Sequence, residues 1–159
     1  MIYPIPWLLI LIVSIPEAFL VLKLGFKLCN TNISTKHSLI TSIIVGISSY
    51  YIRKTDIVFG LHTLITIILL TFLIWILTRI KFIHALMATL IGSLISGVLQ
   101  STISTILLSL TKKTFSDIVS NPILGIFYFL PSGLMMMFLY FYLKYRKVYV
   151  LDLKMYSED

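Results

Sequence analysis

The stretch IVFGLHTLITIILLTFLIWIL, Ile57–Leu77, decides the class of fold, because its 21 residues hold one Gly, one His and three Thr among otherwise apolar side chains. A hydrocarbon core of about 30 Å needs roughly 20 such residues in a helix. Trp75 stands close to Arg79, as an interfacial anchor does, and Tyr50 and Tyr51 form the opposite belt. Working outward, four more stretches repeat the pattern: Tyr3–Leu22, Ser38–Ile52, Ala85–Leu110 and Ile123–Leu143. The expected fold is all-α, a polytopic bundle of about five transmembrane helices over residues 1–143, followed by a short cytoplasmic tail, 144–159. Its first partner is the lipid bilayer, and its expected location is the cell membrane.

Composition supports this from an independent direction. Hydrophobic residues make up 58% of the chain and charged ones 12%, against about 25% charged in a soluble domain. The net charge of +7 is carried by short Lys and Arg clusters at the span edges and in the tail. These read as membrane-edge anchors rather than a nucleic-acid footprint, which requires a contiguous basic surface. The N-terminus lacks the basic region and cleavage site of a signal peptide, so the first span is expected to stay with the mature protein.

The charges also orient the bundle. Lys23–His37 carries three Lys or Arg, Arg53–Asp56 two, Arg79–His84 two, Thr111–Pro122 two and the tail four. An outside N-terminus and inside C-terminus place nine of the thirteen on the cytoplasmic side, as the positive-inside bias requires. The tail is open to three uses: continuing the fifth helix, lying on the anionic inner surface, or docking a cytoplasmic or membrane protein partner.

Small residues in the fourth span fall on two rails, Ala88, Gly92, Ser96 and Ser93, Gly97, Ser101. Lipid supplies no hydrophobic drive between helices, so such residues mark where backbones approach. A contact within the bundle is favoured over a homodimer seam. Pro16 and Pro131 loosen the first and fifth spans, Pro16 beside Glu17 and Pro131 beside Ser132 and Gly133. Glu17 is the only acid within a span, and an ionised carboxylate there costs a few kcal/mol unless it finds a partner or a proton. His62 and Gln100 fall in the outer half of the bilayer, where they could meet. Glu17, His62, Gln100, Pro16 and Pro131 are therefore the candidate ligand contacts. His84 is expected at the cytoplasmic interface.

No catalytic constellation, metal motif or cofactor loop is apparent. The lone Cys29 excludes an intrachain disulfide, and Cys29 with His37 specifies no catalytic geometry. The expected function is non-enzymatic, without cofactor or metal.

The runs SIPEAFLVLKLGFKL, Ser14–Leu28, and YIRKTDIVFGLHTLITIILL, Tyr51–Leu70, resemble the N-terminal multi-span membrane region of sensor histidine kinases of spore-forming bacteria. The matching positions are Pro16, Glu17, Arg53, Gly60, His62 and Thr63. The resemblance implies a signal-sensing or partner-docking module. Since the sequence stops at Asp159, where a linker to the kinase domains would follow, it is expected to be either the isolated sensor part of such a protein or a stand-alone relative that works with a separate partner. The alternative is a small substrate-binding subunit of a transporter.

Overall fold

A computed structural model describes residues 10–54, 61–114 and 121–153. Among them the chain is all-α. A π-helical turn, Ile10–Ser14, leads into α1 (Ile15–Leu28), followed by α2 (Thr35–Lys54), α3 (Leu61–Thr78), α4 (Phe82–Thr111) and α5 (Pro122–Arg146). The helices α3, α4 and α5 are long and apolar enough to cross a membrane, which marks a multi-pass membrane protein. Only 17%, 28% and 22% of their span residues are buried inside the bundle. Most of their apolar surface is left for lipid.

The shortest helix is the central one. At 14 residues α1 is about 21 Å long, yet it packs against α2, α4 and α5 and buries Val21, Leu22, Leu24, Phe26 and Leu28. Its closest neighbour is α4. A Cβ on Gly25 would stand 2.0 Å from the Ala88 carbonyl oxygen, and one on Gly92 would stand 2.2 Å from the Val21 carbonyl oxygen. The rail Ala88, Gly92, Ser96 is buried here, so it seats against α1 within the chain. Of the second rail, Gly97 is exposed with nothing within 4 Å of its Cβ position, and Ser101 is exposed.

Polar side chains in the helices are largely satisfied by their own backbones. In α2, Ser38 donates to the Ser34 carbonyl, Ser42 to that of Ser38 at 2.6 Å and Ser48 to that of Ile44, each four residues back. That is how a serine-rich helix tolerates burial. Between helices, Thr71 of α3 and Thr89 of α4 share a buried hydrogen bond of 2.6 Å, and Thr111 of α4 bonds Tyr128 of α5. Trp75 lies between Phe72, whose ring is tilted by 49°, and Phe82, which it meets edge to face, each ring centroid 5.7 Å away, at the α3–α4 corner.

Several expectations shift. The first helix does not stop at Leu22: the Lys23 stem folds back so that Nζ donates to the Ile33 carbonyl and Thr35 Oγ1, both at 3.0 Å, and the helix runs on to Leu28. Pro16 stands in the first turn of α1, at the join with the π-helical turn, instead of kinking a helix interior. His84 is buried, because the three-residue link Arg79–Lys81 carries the first turn of α4 into the bundle. Residues 3–9 of the first expected span and 57–60 of the third lie outside the described residues.

The tail returns to its own chain. α1 ends on a Schellman-type cap, with Asn30 left-handed (φ 52°), Asn30 N–H donating to the Lys27 carbonyl and Thr31 N–H to that of Phe26. Two carbonyls at this end, of Leu28 and Cys29, accept from the tail: Val150 and Leu151 N–H reach Leu28 O at 2.8 and 3.1 Å, and Leu153 N–H reaches Cys29 O at 3.2 Å. Asn30 Nδ2 adds a 2.8 Å bond to Asp152 Oδ1, and the Lys27 ammonium sits over the Tyr149 ring. The last turn of a helix leaves four carbonyls without partners, and here the tail supplies donors to part of them.

Two measurements check this packing. Gly92→Ala should destabilise by about 1–3 kcal/mol, because the added carbon forces two backbones apart, whereas Gly97→Ala should leave the melting temperature in detergent unchanged. Burial pushes the Cys29 thiol up from 9.0 to about 11, which lowers its reactive thiolate about a hundredfold below pH 9. Maleimide at pH 8 should therefore label Cys29 at least about a hundredfold more slowly in the folded chain than after unfolding.

Candidate functional site

Three helices present stripes of the same spacing to one point. Ser14, Glu17, Ala18 and Val21 run down the π-turn and α1, Thr63, Thr66, Ile67 and Leu70 down α3, and Ser93, Ser96, Gly97 and Gln100 along α4. Each set follows the i, i+3, i+4, i+7 face of a helix. With Val45, Gly46 and Ser49 of α2 and His62 of α3 they enclose a half-open cavity of about 290 Å³. Its ionisable and amide groups, Glu17, His62 and Gln100, gather at one end, where α1 and α3 begin. Val21, Val45 and Leu70, with the Ser93 hydroxyl beside them, line the other end.

The space exists because the walls carry small side chains. Gly97 and Ala18 leave room that larger residues would fill, and Gly97 has open space where its side chain would be. Gly46 serves close packing instead. A Cβ there would stand 2.5 Å from Ile15 Cγ1, so the glycine lets α2 approach α1 beside the cavity.

Glu17 and Gln100, 83 residues apart in the chain, meet here. Gln100 Nε2 donates to Glu17 Oε1 at 2.6 Å and lies 3.4 Å from Ser96 Oγ. This hydrogen bond ties α1 to α4 above the Gly92 contact. His62 lines the same cavity. Three of the five residues singled out from sequence are thus gathered in one place, although Glu17, not His62, is the residue that Gln100 holds.

The other two candidates fall elsewhere. Pro16 adjoins Glu17 in the chain but does not line the cavity, and Pro131 is exposed on α5, none of whose described residues lines it. Beside Pro131, Ser132 is buried and donates to the Phe129 carbonyl at 2.7 Å. Of the small-residue rails, Ser93, Ser96 and Gly97 line the cavity. Of the positions that carry the family resemblance, Glu17, His62 and Thr63 line it, Gly60 lies outside the described residues, and Arg53 lies in α2.

Sequence reasoning missed the hydroxyls of Ser14, Ser49 and Thr66. The helical spacing of Thr63, Thr66, Ile67 and Leu70 was a usable signal, since it puts two hydroxyls over two aliphatic side chains on one face. Among the described residues no group of three or more His, Cys, Asp or Glu side chains is placed to hold a metal ion. No protein family, curated protein or solved structure matches this chain.

The Glu17–Gln100 bond has a testable energy. Gln100→Leu removes the donor from a half-buried carboxyl group and should lower stability by about 1–3 kcal/mol. Glu17→Gln keeps an acceptor for Gln100 and should cost less. Thermal unfolding of the two variants in detergent gives the comparison.

Proposed function

We infer that this chain is an integral membrane signal-sensing module, without catalytic activity of its own, that takes a small polar ligand among its helices. In this reading all five helices cross the bilayer, with the N-terminus outside and the C-terminus inside. The observation that carries it is the convergence of Glu17, His62 and Gln100, from three helices, on one cavity. A carboxyl, an imidazole and a carboxamide inside an apolar bundle are costly to place, and grouping them around an open volume suits ligand recognition.

Orientation supports a sensor further. The polar end of the cavity lies where α1 begins, and the charge ladder puts that end outside. The tail lies at the opposite end of α1. A ligand that engages Glu17 thus acts on the helix whose far end holds the tail, and the tail is the part of the chain offered to a cytoplasmic partner. The resemblance to the membrane regions of sensor histidine kinases points the same way. The transporter-subunit reading draws on the helix irregularity at Pro16 beside Glu17, as broken helices often flank transported substrates. The docked tail favours sensing.

Cysteine labelling in a Cys29→Ser background tests the orientation. Lys113→Cys should react with a membrane-impermeant maleimide added to intact cells, and Val148→Cys should react only after permeabilisation. The opposite pattern would sink this topology. For the sensing step, Asn30→Cys and Asp152→Cys should be joined by a short bifunctional maleimide in native membranes. Filling the cavity with Gly97→Leu should change the rate of that cross-link, and an unchanged rate would favour transport.

A further inference from the structure

We propose that the cleft between α1 and α5 formed by Lys23, Lys27 and Tyr140, with Lys144 one turn further along α5, binds the phosphate of an anionic glycerophospholipid. The site lies at the opposite end of α1 from Glu17 and does not depend on the cavity there holding a ligand.

Positive charge is concentrated here. The described lining holds two lysines of α1, Tyr140 of α5, and Thr31 and Asn32 of the link between α1 and α2, and it includes no Asp or Glu. Asp152, the one described acid at this end of the bundle, lies outside the lining and accepts from Asn30 Nδ2. Lys23 and Lys27 are half-buried and stand four residues apart, so they share a face of α1. The Lys144 ammonium, arriving on α5, is near enough to repel that of Lys23. Lys23 donates to the Ile33 carbonyl and the Thr35 hydroxyl and lies 5.8 Å from the centre of the Phe19 ring, and Lys27 sits over the Tyr149 ring. These partners are all neutral. They orient the ammonium groups but leave their charge uncompensated, and an anion placed among the three lysines relieves the repulsion between them.

Size and position narrow the class of anion. The cleft measures about 20 Å³, enough for roughly one water-sized group, so an oxygen of the ligand enters while the bulk of the molecule stays outside. That suits a molecule held mainly by the bilayer. Along α5, Met137, Tyr140 and Lys144 follow one another on one face at intervals of three and four residues, the first exposed, the second half-buried and the third exposed. Thioether, phenol and ammonium thus succeed each other in the order in which a phospholipid presents acyl chain, glycerol and phosphate. A phosphate diester accepts hydrogen bonds and brings no donor of its own, and the lysine N–H groups, the Asn32 amide and the Tyr140 hydroxyl are donor types. The Thr31 hydroxyl already donates to the Phe26 carbonyl. The charge ladder puts this end on the cytoplasmic side, where the membrane surface is negative.

The test is thermal unfolding of the purified, delipidated full chain in dodecyl maltoside with phosphatidylglycerol, phosphatidylcholine or inorganic phosphate at equal concentrations. Phosphatidylglycerol should raise the melting temperature by about 2–4 °C, because a ligand that binds only the folded state stabilises it. Phosphatidylcholine, which is neutral overall, and inorganic phosphate, which has no acyl chain, should not. Lys27→Gln and Lys144→Gln should each remove most of the shift. Lys36→Gln, which takes one exposed charge from the same end outside the cleft, should keep it. Lys144 is exposed, so its replacement leaves the fold intact and keeps the test decisive if Lys27→Gln melts early. An equal shift with phosphatidylcholine, no shift with phosphatidylglycerol, or a shift untouched by both cleft substitutions would overturn the proposal. So would a loss in Lys36→Gln as large as that in Lys144→Gln, since it would reduce the effect to general attraction between a basic surface and anionic lipid. A shift with inorganic phosphate that Lys144→Gln abolishes would overturn the lipid and leave an anion site standing.

Discussion

The contact between α1 and α4 at Gly25 and Gly92 is the constraint on which the rest of the bundle depends. Each glycine sits where a side-chain carbon would collide with a carbonyl oxygen of the other helix, 2.0 Å from Ala88 O and 2.2 Å from Val21 O. In a bilayer the apolar surface of a helix gains little by leaving lipid for another helix, so close backbone contact and interhelical hydrogen bonds must hold the bundle together. The reciprocal glycines fix both the distance and the register of the two helices. That register brings Glu17 level with Gln100, two turns from Gly92 along α4, and so places the hydrogen bond and the cavity above the contact.

The central helix is the shortest and yet carries three ionisable side chains, and the same constraint explains its place. In water a buried helix is apolar on all sides. In lipid the apolar helices do better outside, and α3, α4 and α5 turn most of their surface outward. The helix carrying Glu17, Lys23 and Lys27 goes inside, where Gln100 meets Glu17, and Ile33 with Thr35, the first residue of α2, meets Lys23. Hydropathy along the chain registers which segments can face lipid. It is blind to which one the others surround.

That division also describes what could be read in advance. The helical class and the approximate extent of α2, α4 and α5 are properties of local composition, and Ser38–Ile52, Ala85–Leu110 and Ile123–Leu143 fall inside the observed helices. The rail Ala88, Gly92, Ser96 was legible as a close-packing face, because spacing alone puts those residues together. Its partner was not, since Gly25 stands isolated among larger residues and acquires meaning only opposite Ala88. The same holds for the cavity. Glu17 and Gln100 were conspicuous as polar residues in apolar spans, but their pairing depends on the vertical offset of two helices, which the glycine contact sets. The return of the tail depends on carbonyls at the end of α1, and every helix end has such carbonyls whatever its sequence.

α1 therefore carries a different constraint at each end. At the top Glu17 is tied to Gln100, and at the bottom Leu28 and Cys29 accept backbone donors from Val150, Leu151 and Leu153. Between them lies the glycine contact, which leaves no slack for the helix to tilt towards α4. Tilting closer is blocked by the Ala88 and Val21 carbonyls, and sliding would move Gly25 and Gly92 off the two points of close approach. Rotation alters the angle at which Leu28 and Cys29 present their oxygens, and hydrogen bonds weaken steeply as their angle departs from linear. The tail's backbone bonds go to the last turn of α1 and the cap that follows it, so small displacements there bear on most of its anchoring.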